Sequence, residues 1–235
     1  MLNNNILKNL KKKNKVSNLS FNSEVDPLDL KVYENRAKNI RLEWPKQVVS
    51  ILQKSGFFKK KKVINDLGCN WFQFYKELKY RKLKVDYFGY DFDTNFVNIG
   101  LKYFPELKNK IQIGNIEKTK VRPSQLNIAS IVLDHVENPK KFLNNFFQSK
   151  EIVVLRCYLG KENLVNLFSK KKLVKKPYFI NQFSFENIIR TFHQYNFIPT
   201  IYLDKATNHS KEHEIAKNYK VFRKIFIIVG KKISK

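Results

Sequence analysis

Apolar residues recur along this chain in two periods, and the period switches repeatedly. Before residue 24 there is no period. MLNNNILKNLKKKNK and the residues after it are polar and rich in Lys and Asn, and they read as a mobile basic arm over 1–23. A helical pattern begins at Asp26. Pro27 suits a helix start, and Val32, Ile40 and Leu42 stand among charged residues. Pro45 opens a second helix whose stripe is Val48, Val49, Ile51 and Leu52, with Gly56 at the position of a C-terminal cap. The chain then alternates. KKVINDL predicts a strand, and WFQFYKELKY a helix with Trp71, Phe74, Tyr75 and Leu78 near one face. KVDYFGYD is the second strand, TNFVNIGLKYF a helix, KIQIGNI the third strand and ASIVLDHV the fourth. Asn138-Pro139 caps the helix KKFLNNFF, and EIVVLRCYL is the fifth strand. ENLVNLF predicts a short helix. SFENIIRTFHQYNF predicts another, capped by Ser184, with Ile188, Ile189, Phe192 and Tyr195 facing inward. IPTIYL is the sixth strand, DKATNHSKEHEIAKNYK a polar loop, and VFRKIFIIVG the seventh strand.

Strand and helix alternating at this spacing predict an α/β fold. It is a Rossmann-like, seven-stranded, mostly parallel sheet with helices on both faces and an antiparallel last strand. The organisation read from the pattern is a flexible arm over 1–23, an N-terminal helical lid segment over 24–58 and one main domain over 59–235.

Composition changes this picture little. A hydrophobic fraction of 43% supports an ordinary core. No apolar run is long enough for a transmembrane segment or a signal peptide, so a cytoplasmic protein is expected. Cys69 and Cys157, the only cysteines, are too few for a disulfide framework or a cysteine-built metal site. The net charge of +26 raises nucleic acid or an anionic membrane surface as partners. The basic residues are 39 Lys and 7 Arg, however, and Arg is the residue suited to bidentate phosphate and base contacts. Lys, Asn, Ile and Phe share A/T-rich codons, so genome composition is an equal explanation. Nothing in the sequence sets an oligomeric state.

In such a sheet, ligands bind beyond the carboxyl ends of the strands. The candidate residues are therefore Asp66, Gly68, Cys69 and Asn70 after the first strand, Asp91 and Phe92 after the second, Asn115 and Ile116 after the third, and Leu133, Asp134 and His135 at the fourth. Gly68 lets a ligand approach the backbone. The helix beginning near Trp71 offers free N–H groups to an anion. Asp91 can accept from ribose hydroxyls, Asn115 can meet an adenine edge, and Phe92 can lie against the base.

The ordered set DLGCN, FGYD, IGNIE and VLDHVENPKKFL resembles the class I S-adenosylmethionine-dependent methyltransferases. The resemblance covers about Val63 to Gly230, and it implies a methyltransferase domain over 59–235 with S-adenosylmethionine as cofactor. It places the Gly68 turn near the methionine part, Asp91 on the ribose, Asn115 and Ile116 at the adenine, and Leu133 to Val136 beside the cofactor and substrate. Asn70 and Phe72 stand where the family has its second and third turn glycines. Asn115 replaces a common Asp, and Asn127 is nearest to a missing acid. Arg36, in YENRAKNIR with Tyr33, could reach the methionine carboxylate, and Asp134 or His135 could act as general base. The expected function is methyl transfer to a small molecule or glycan precursor. The alternatives are an RNA methyltransferase and a non-catalytic scaffold whose turn is filled by Trp71 and Phe72.

Overall fold

The structure is a computed structural model and describes residues 27–169, 178–207, 211–216 and 219–233. The arm over 1–23 and Asp26 lie outside the described residues. Two helices, α1 (Pro27–Asn39) and α2 (Glu43–Lys54), precede the sheet. Then follow β1 (Lys62–Leu67), α3 (Gln73–Tyr80), β2 (Val85–Asp91), α4 (Thr94–Tyr103), β3 (Ile111–Ile113), β4 (Leu126–Ser130), α5 (Pro139–Phe146) and β5 (Ile152–Gly160). The remainder is β6 (Leu164–Ser169), β7 (Tyr178–Ser184), α6 (Phe185–Gln194), β8 (Phe197–Leu203), β9 (Lys211–Ala216) and β10 (Tyr219–Lys232).

The main sheet runs β3-β2-β1-β4-β5-β10-β8. β1 is parallel to β2 and β4, β2 to β3, and β4 to β5, while β10 is antiparallel to both β5 and β8. The order reverses between β1 and β4, and the crevice at their carboxyl ends is where such sheets take ligands.

Strand alternation splits the core into two layers. Ile64, Ile128, Val154, Ile227 and Val229 face Val48, Leu52, Phe74, Leu78 and Val97 of the helices α2, α3 and α4. Leu67, Ala129, Val153, Leu155 and Ile228 face Phe142, Phe146, Ile188 and Phe192 of α5 and α6. Each fully buried phenylalanine contributes about 1.5–3 kcal/mol. The caps agree with the sequence. Asp93 accepts from the Asn95 and Phe96 N–H groups, Asn138 from Lys141 N–H and Ser184 from Asn187 N–H.

Helix α1 lies against α4. Tyr33 meets Phe96 edge-on at 4.7 Å, and Glu34 pairs with Lys102. Lys76 Nζ donates to the carbonyls of Arg36, Ala37 and Lys38 and so caps the end of α1 from α3. Beyond it, Glu77 is held by Arg41 and Arg81.

Four sequence expectations need correction. The seven predicted strands are joined by three more, β6, β7 and β9. ENLVNLF is strand β6, not a helix. Its crowded apolar residues fit either period, and antiparallel pairing with β7 decides the outcome. Within the expected polar loop, Lys211–Ala216 forms β9, antiparallel to an early-starting β10. The fourth strand is Leu126–Ser130 and stops short of LDHV. Leu133 and Val136 are apolar because the loop after β4 is buried, not because it is extended.

Candidate active site

The turn after β1 is built by hydrogen bonds to β2. Gly68 N–H and Cys69 N–H both donate to Tyr90 O, at 2.7 and 3.1 Å. Gly68 has φ +80°, and a β-carbon there would lie 2.2 Å from Val132 Cγ2, so only glycine fits. Asn70 (φ +51°) and Phe72 (φ +67°) adopt the left-handed region that glycines occupy in the related motif. Asn70 N–H donates to Asp91 Oδ2 at 2.7 Å, and Asn70 Oδ1 accepts from Trp71 N–H at 2.9 Å. The Phe72 ring is fully buried against Gly100 and Phe104, within the helix–sheet layer and out of the turn. Trp71 is buried as well, and its indole N–H has no hydrogen-bond partner among the described residues.

Asp91 ends β2. Its Oδ1 accepts from Asp93 N–H at 2.9 Å and its Oδ2 from Asn70 N–H. Burial raises its pKa to about 6, against the lowering effect of those N–H groups. Phe92 N–H donates to it as well, so of a carboxylate's about four acceptor positions about one remains for a ligand. Beside it Phe92 is 42% exposed, and Ile113, at the end of β3, is 53% exposed. Asn115 is committed to a turn: its Oδ1 accepts from Glu117 N–H at 2.8 Å, leaving the amide N–H groups as donors. Ile116 is buried, and its carbonyl accepts from Asn145 Nδ2.

Asp66 is not a cleft residue. It is buried under the helix–sheet layer and accepts from Tyr87 O–H at 2.7 Å, and burial lifts its pKa to about 7. Cys69 and Cys157 are buried thiols whose pKa values burial pushes well up, which makes both poor nucleophiles.

The loop after β4 carries Leu133, Asp134 and His135. Leu133 and Asp134 are buried, and His135 is half-buried. Asp134 Oδ1 accepts from Tyr158 N–H at 2.9 Å. Asn181 of β7 donates through Nδ2 to the carbonyls of Leu133 and Val136, and its N–H donates to Asp134 O. Asp134 is thus a loop anchor. Arg36 is exposed on α1, its guanidinium 5.5 Å from the Tyr33 ring.

Sequence reasoning missed Val132, Ile113, Asn181 and a buried pair at the end of β8. There Arg156 Nε and Nη2 both donate to Asp204 Oδ2. Arg156 Nη1 reaches Ser130 Oγ at 3.3 Å, and its guanidinium lies 5.6 Å from the Trp44 ring. Trp44 Nε1 donates to Gln73, whose amide approaches Asn70 Oδ1. A continuous wall therefore joins the first turn to β5 and β8. Exposure identifies Ile113 only after folding, and no local pattern marks Asn181.

This strand order is that of the class I S-adenosylmethionine-dependent methyltransferase fold. No protein-family model matches the sequence, and no curated protein is similar to it. Solved structures are similar in shape. An S-adenosylmethionine-dependent methyltransferase from Clostridium acetobutylicum superposes with a TM-score of 0.58 at 11% identity, over 87% of this chain and 98% of that one. Magnesium protoporphyrin IX methyltransferase from Synechocystis, with bound S-adenosylhomocysteine, gives 0.53 at 12% identity, over 89% of each chain. Phosphoethanolamine N-methyltransferase 2 from Haemonchus contortus gives 0.62 at 11% identity, over 91% of this chain and 59% of that longer one. These proteins share one fold, and the last two are named for different acceptors.

Among the described residues, no helix is long and apolar enough to cross a membrane.

Proposed function

We propose that this chain is a methyltransferase that binds S-adenosylmethionine at the carboxyl ends of β1 to β4 and methylates a small-molecule acceptor. The observation that carries the reading is Asp91. It is a buried carboxylate at the tip of β2, oriented by the N–H groups of Asn70, Phe92 and Asp93 and set beside the exposed side chains of Phe92 and Ile113. An acid flanked by uncovered apolar surface fits a ribose and its base. The unpartnered Trp71 N–H and the close-packed Gly68 turn fit the polar amino-acid end of the same ligand.

In this reading Asp91 holds the ribose hydroxyls. Phe92, Ile113 and Ile116 enclose the adenine, and the Asn115 amide donates to its edge. Gly68, Cys69, Asn70 and Leu133 border the methionine, and Arg36 receives its carboxylate. The cofactor, when bound, supplies an electrophilic methyl group on its sulfonium. The protein's task is then to orient the acceptor and keep water out. His135 stands in the loop beside that position as the candidate base, and Asp134 fixes the loop through Tyr158 N–H. A glycan precursor is one acceptor of the proposed class. The basic strand-entry residues stand at the opposite end of the sheet, so they lend no support to an RNA acceptor.

Calorimetry with S-adenosylhomocysteine tests the proposal. Binding tighter than about 1 mM is expected. Asp91→Asn should weaken it roughly tenfold to a hundredfold, the worth of a charge-assisted hydrogen bond. Because the ligand's hydroxyls favour the ionised carboxylate, affinity should fall as pH drops through about 6, and Asp91→Asn should lose that dependence. Wild-type protein that binds neither the cofactor nor its product at about 1 mM overturns the assignment.

A further inference from the structure

The two ends of the sheet differ in charge. At the carboxyl ends the turns carry Asp91, Asp93, Glu117, Asp134, Glu137 and Asp204, balanced by the exposed Lys118, Lys120, Lys140, Lys141, Lys161 and Lys205. At the amino ends the strands are entered through basic segments. KKKK (59–62) leads into β1, RKLK (81–84) into β2, and Lys108 and Lys110 into β3. Lys150 precedes β5, and β10, running the other way, leaves through Lys231 and Lys232. The acids at this end are already engaged, Glu151 by Lys62, Asp86 by Lys110 and Glu106 by Lys79. Lys59, Lys60, Lys61, Lys82 and Lys84 remain exposed, with no ion pair among the described residues. Lysine stands at both ends of the sheet, as A/T-rich coding would place it, but only at the amino end do its charges far outnumber the acids.

Two further features share that end. Tyr80, Ile198 and Ile233 are 62%, 55% and 44% exposed, and Ile198 stands opposite Lys231 in the ladder. A shallow cleft of about 360 Å³ opens between Lys150, Glu151, Ile152, Lys231, Lys232 and Ile233, with the Glu151 carboxylate neutralised by Lys62. Arg81, the guanidinium nearest these lysines in sequence, is held by Glu77. Lysines without free guanidinium forks suit headgroup phosphates better than base edges. Exposed aliphatic side chains serve a bilayer interface and have no use against a nucleic-acid backbone.

We infer that the amino end of the sheet docks on an anionic lipid bilayer, with a headgroup phosphate in the Lys150–Lys231 cleft. The opposite end of the sheet then faces the aqueous phase. This reading does not depend on the proposed methyl transfer.

The test is co-sedimentation of the full chain with phosphatidylcholine vesicles, with and without about 30% phosphatidylglycerol. Binding only to the anionic vesicles is expected, with release in roughly 0.5 M salt as the charges are screened. The triple variant Lys59→Glu, Lys60→Glu, Lys61→Glu should lower partition about a hundredfold, at roughly fivefold per lysine. A control triple variant at the other end, Lys118→Glu, Lys161→Glu, Lys205→Glu, should retain binding within about threefold. Ile233→Ser should weaken binding to vesicles without changing its salt dependence. Three outcomes overturn the inference: no partition into anionic vesicles, an equal loss in the control variant, or binding of mixed-sequence RNA that the first variant abolishes while vesicles are ignored.

Discussion

The turn after β1 and the loop after β4 both lie at the carboxyl end of the sheet, and both hold residues at positive φ. Different parts of the chain hold them there. In the first turn Gly68 and Asn70 are fixed by Tyr90 O and the Asp91 carboxylate on the next strand, and Phe72 N–H donates to Cys69 O within the turn. In the loop after β4, Ile131 (φ +59°) donates to Arg156 O on β5, Asp134 accepts from Tyr158 N–H, and Asn181 on β7 spans two loop carbonyls. The first turn is thus a property of one β–α–β unit. The second depends on the hairpin inserted after β5. In the proposed methyltransferase the first turn would serve the cofactor, and the hairpin would shape the half that meets the acceptor.

The largest effect that probes this contrast is Phe72→Ala. The ring is fully buried against Gly100 and Phe104, so its loss should cost about 4 kcal/mol in equilibrium unfolding. Affinity for S-adenosylhomocysteine should stay within about threefold in the folded fraction. A loss of affinity beyond tenfold would make the ring part of the site and break the view of the turn as backbone-built. Next is Gly68→Ala, at about 3 kcal/mol, from a left-handed φ and a β-carbon 2.2 Å from Val132 Cγ2. Here stability and product affinity should fall together. Unchanged values for both would mean that Val132 yields freely and that the two segments are not in tight contact.

The same contrast explains what the sequence could disclose. The first turn was legible because strand, acid, glycine and helix follow within a dozen residues. The succession of strands and helices was legible from alternation and from the caps Asn138 and Ser184. The loop after β4 was misread because a buried loop is as apolar as a strand, and only a hydrogen bond to Arg156 O, 25 residues on, turns the chain at Ile131. Asn181 sits in the aromatic run YFINQFSF as one more polar residue. Its partners, Leu133 and Val136, are far back in the chain and unavailable to any local pattern. Asp66, expected to border the ligand, is instead a buried carboxyl bound by Tyr87, because its side chain projects to the helix-covered face of β1.

Asn181→Ala isolates the second region. It strands two buried carbonyls and should cost about 2 kcal/mol. Hydrogen exchange should rise over 131–136 and stay unchanged over 66–72. Equal rises in both segments would show that the halves open as one unit and would remove the distinction drawn above.

The smallest effect is expected at Ile131. A β-branched residue in the left-handed region carries about 1–2 kcal/mol of strain, while glycine there adds about 0.5–1 kcal/mol of unfolded-state entropy. The side chain is only half-buried. Ile131→Gly should therefore change stability by less than about 1 kcal/mol, in the stabilising direction if the loop backbone is unchanged. Three residues earlier, Ile128→Ala should cost about 3 kcal/mol, because that side chain is fully buried in β4. The pair separates backbone from packing. If Ile131→Gly proves as costly as Ile128→Ala, the Ile131 side chain sets the loop, and the hydrogen bond to Arg156 O merely follows it.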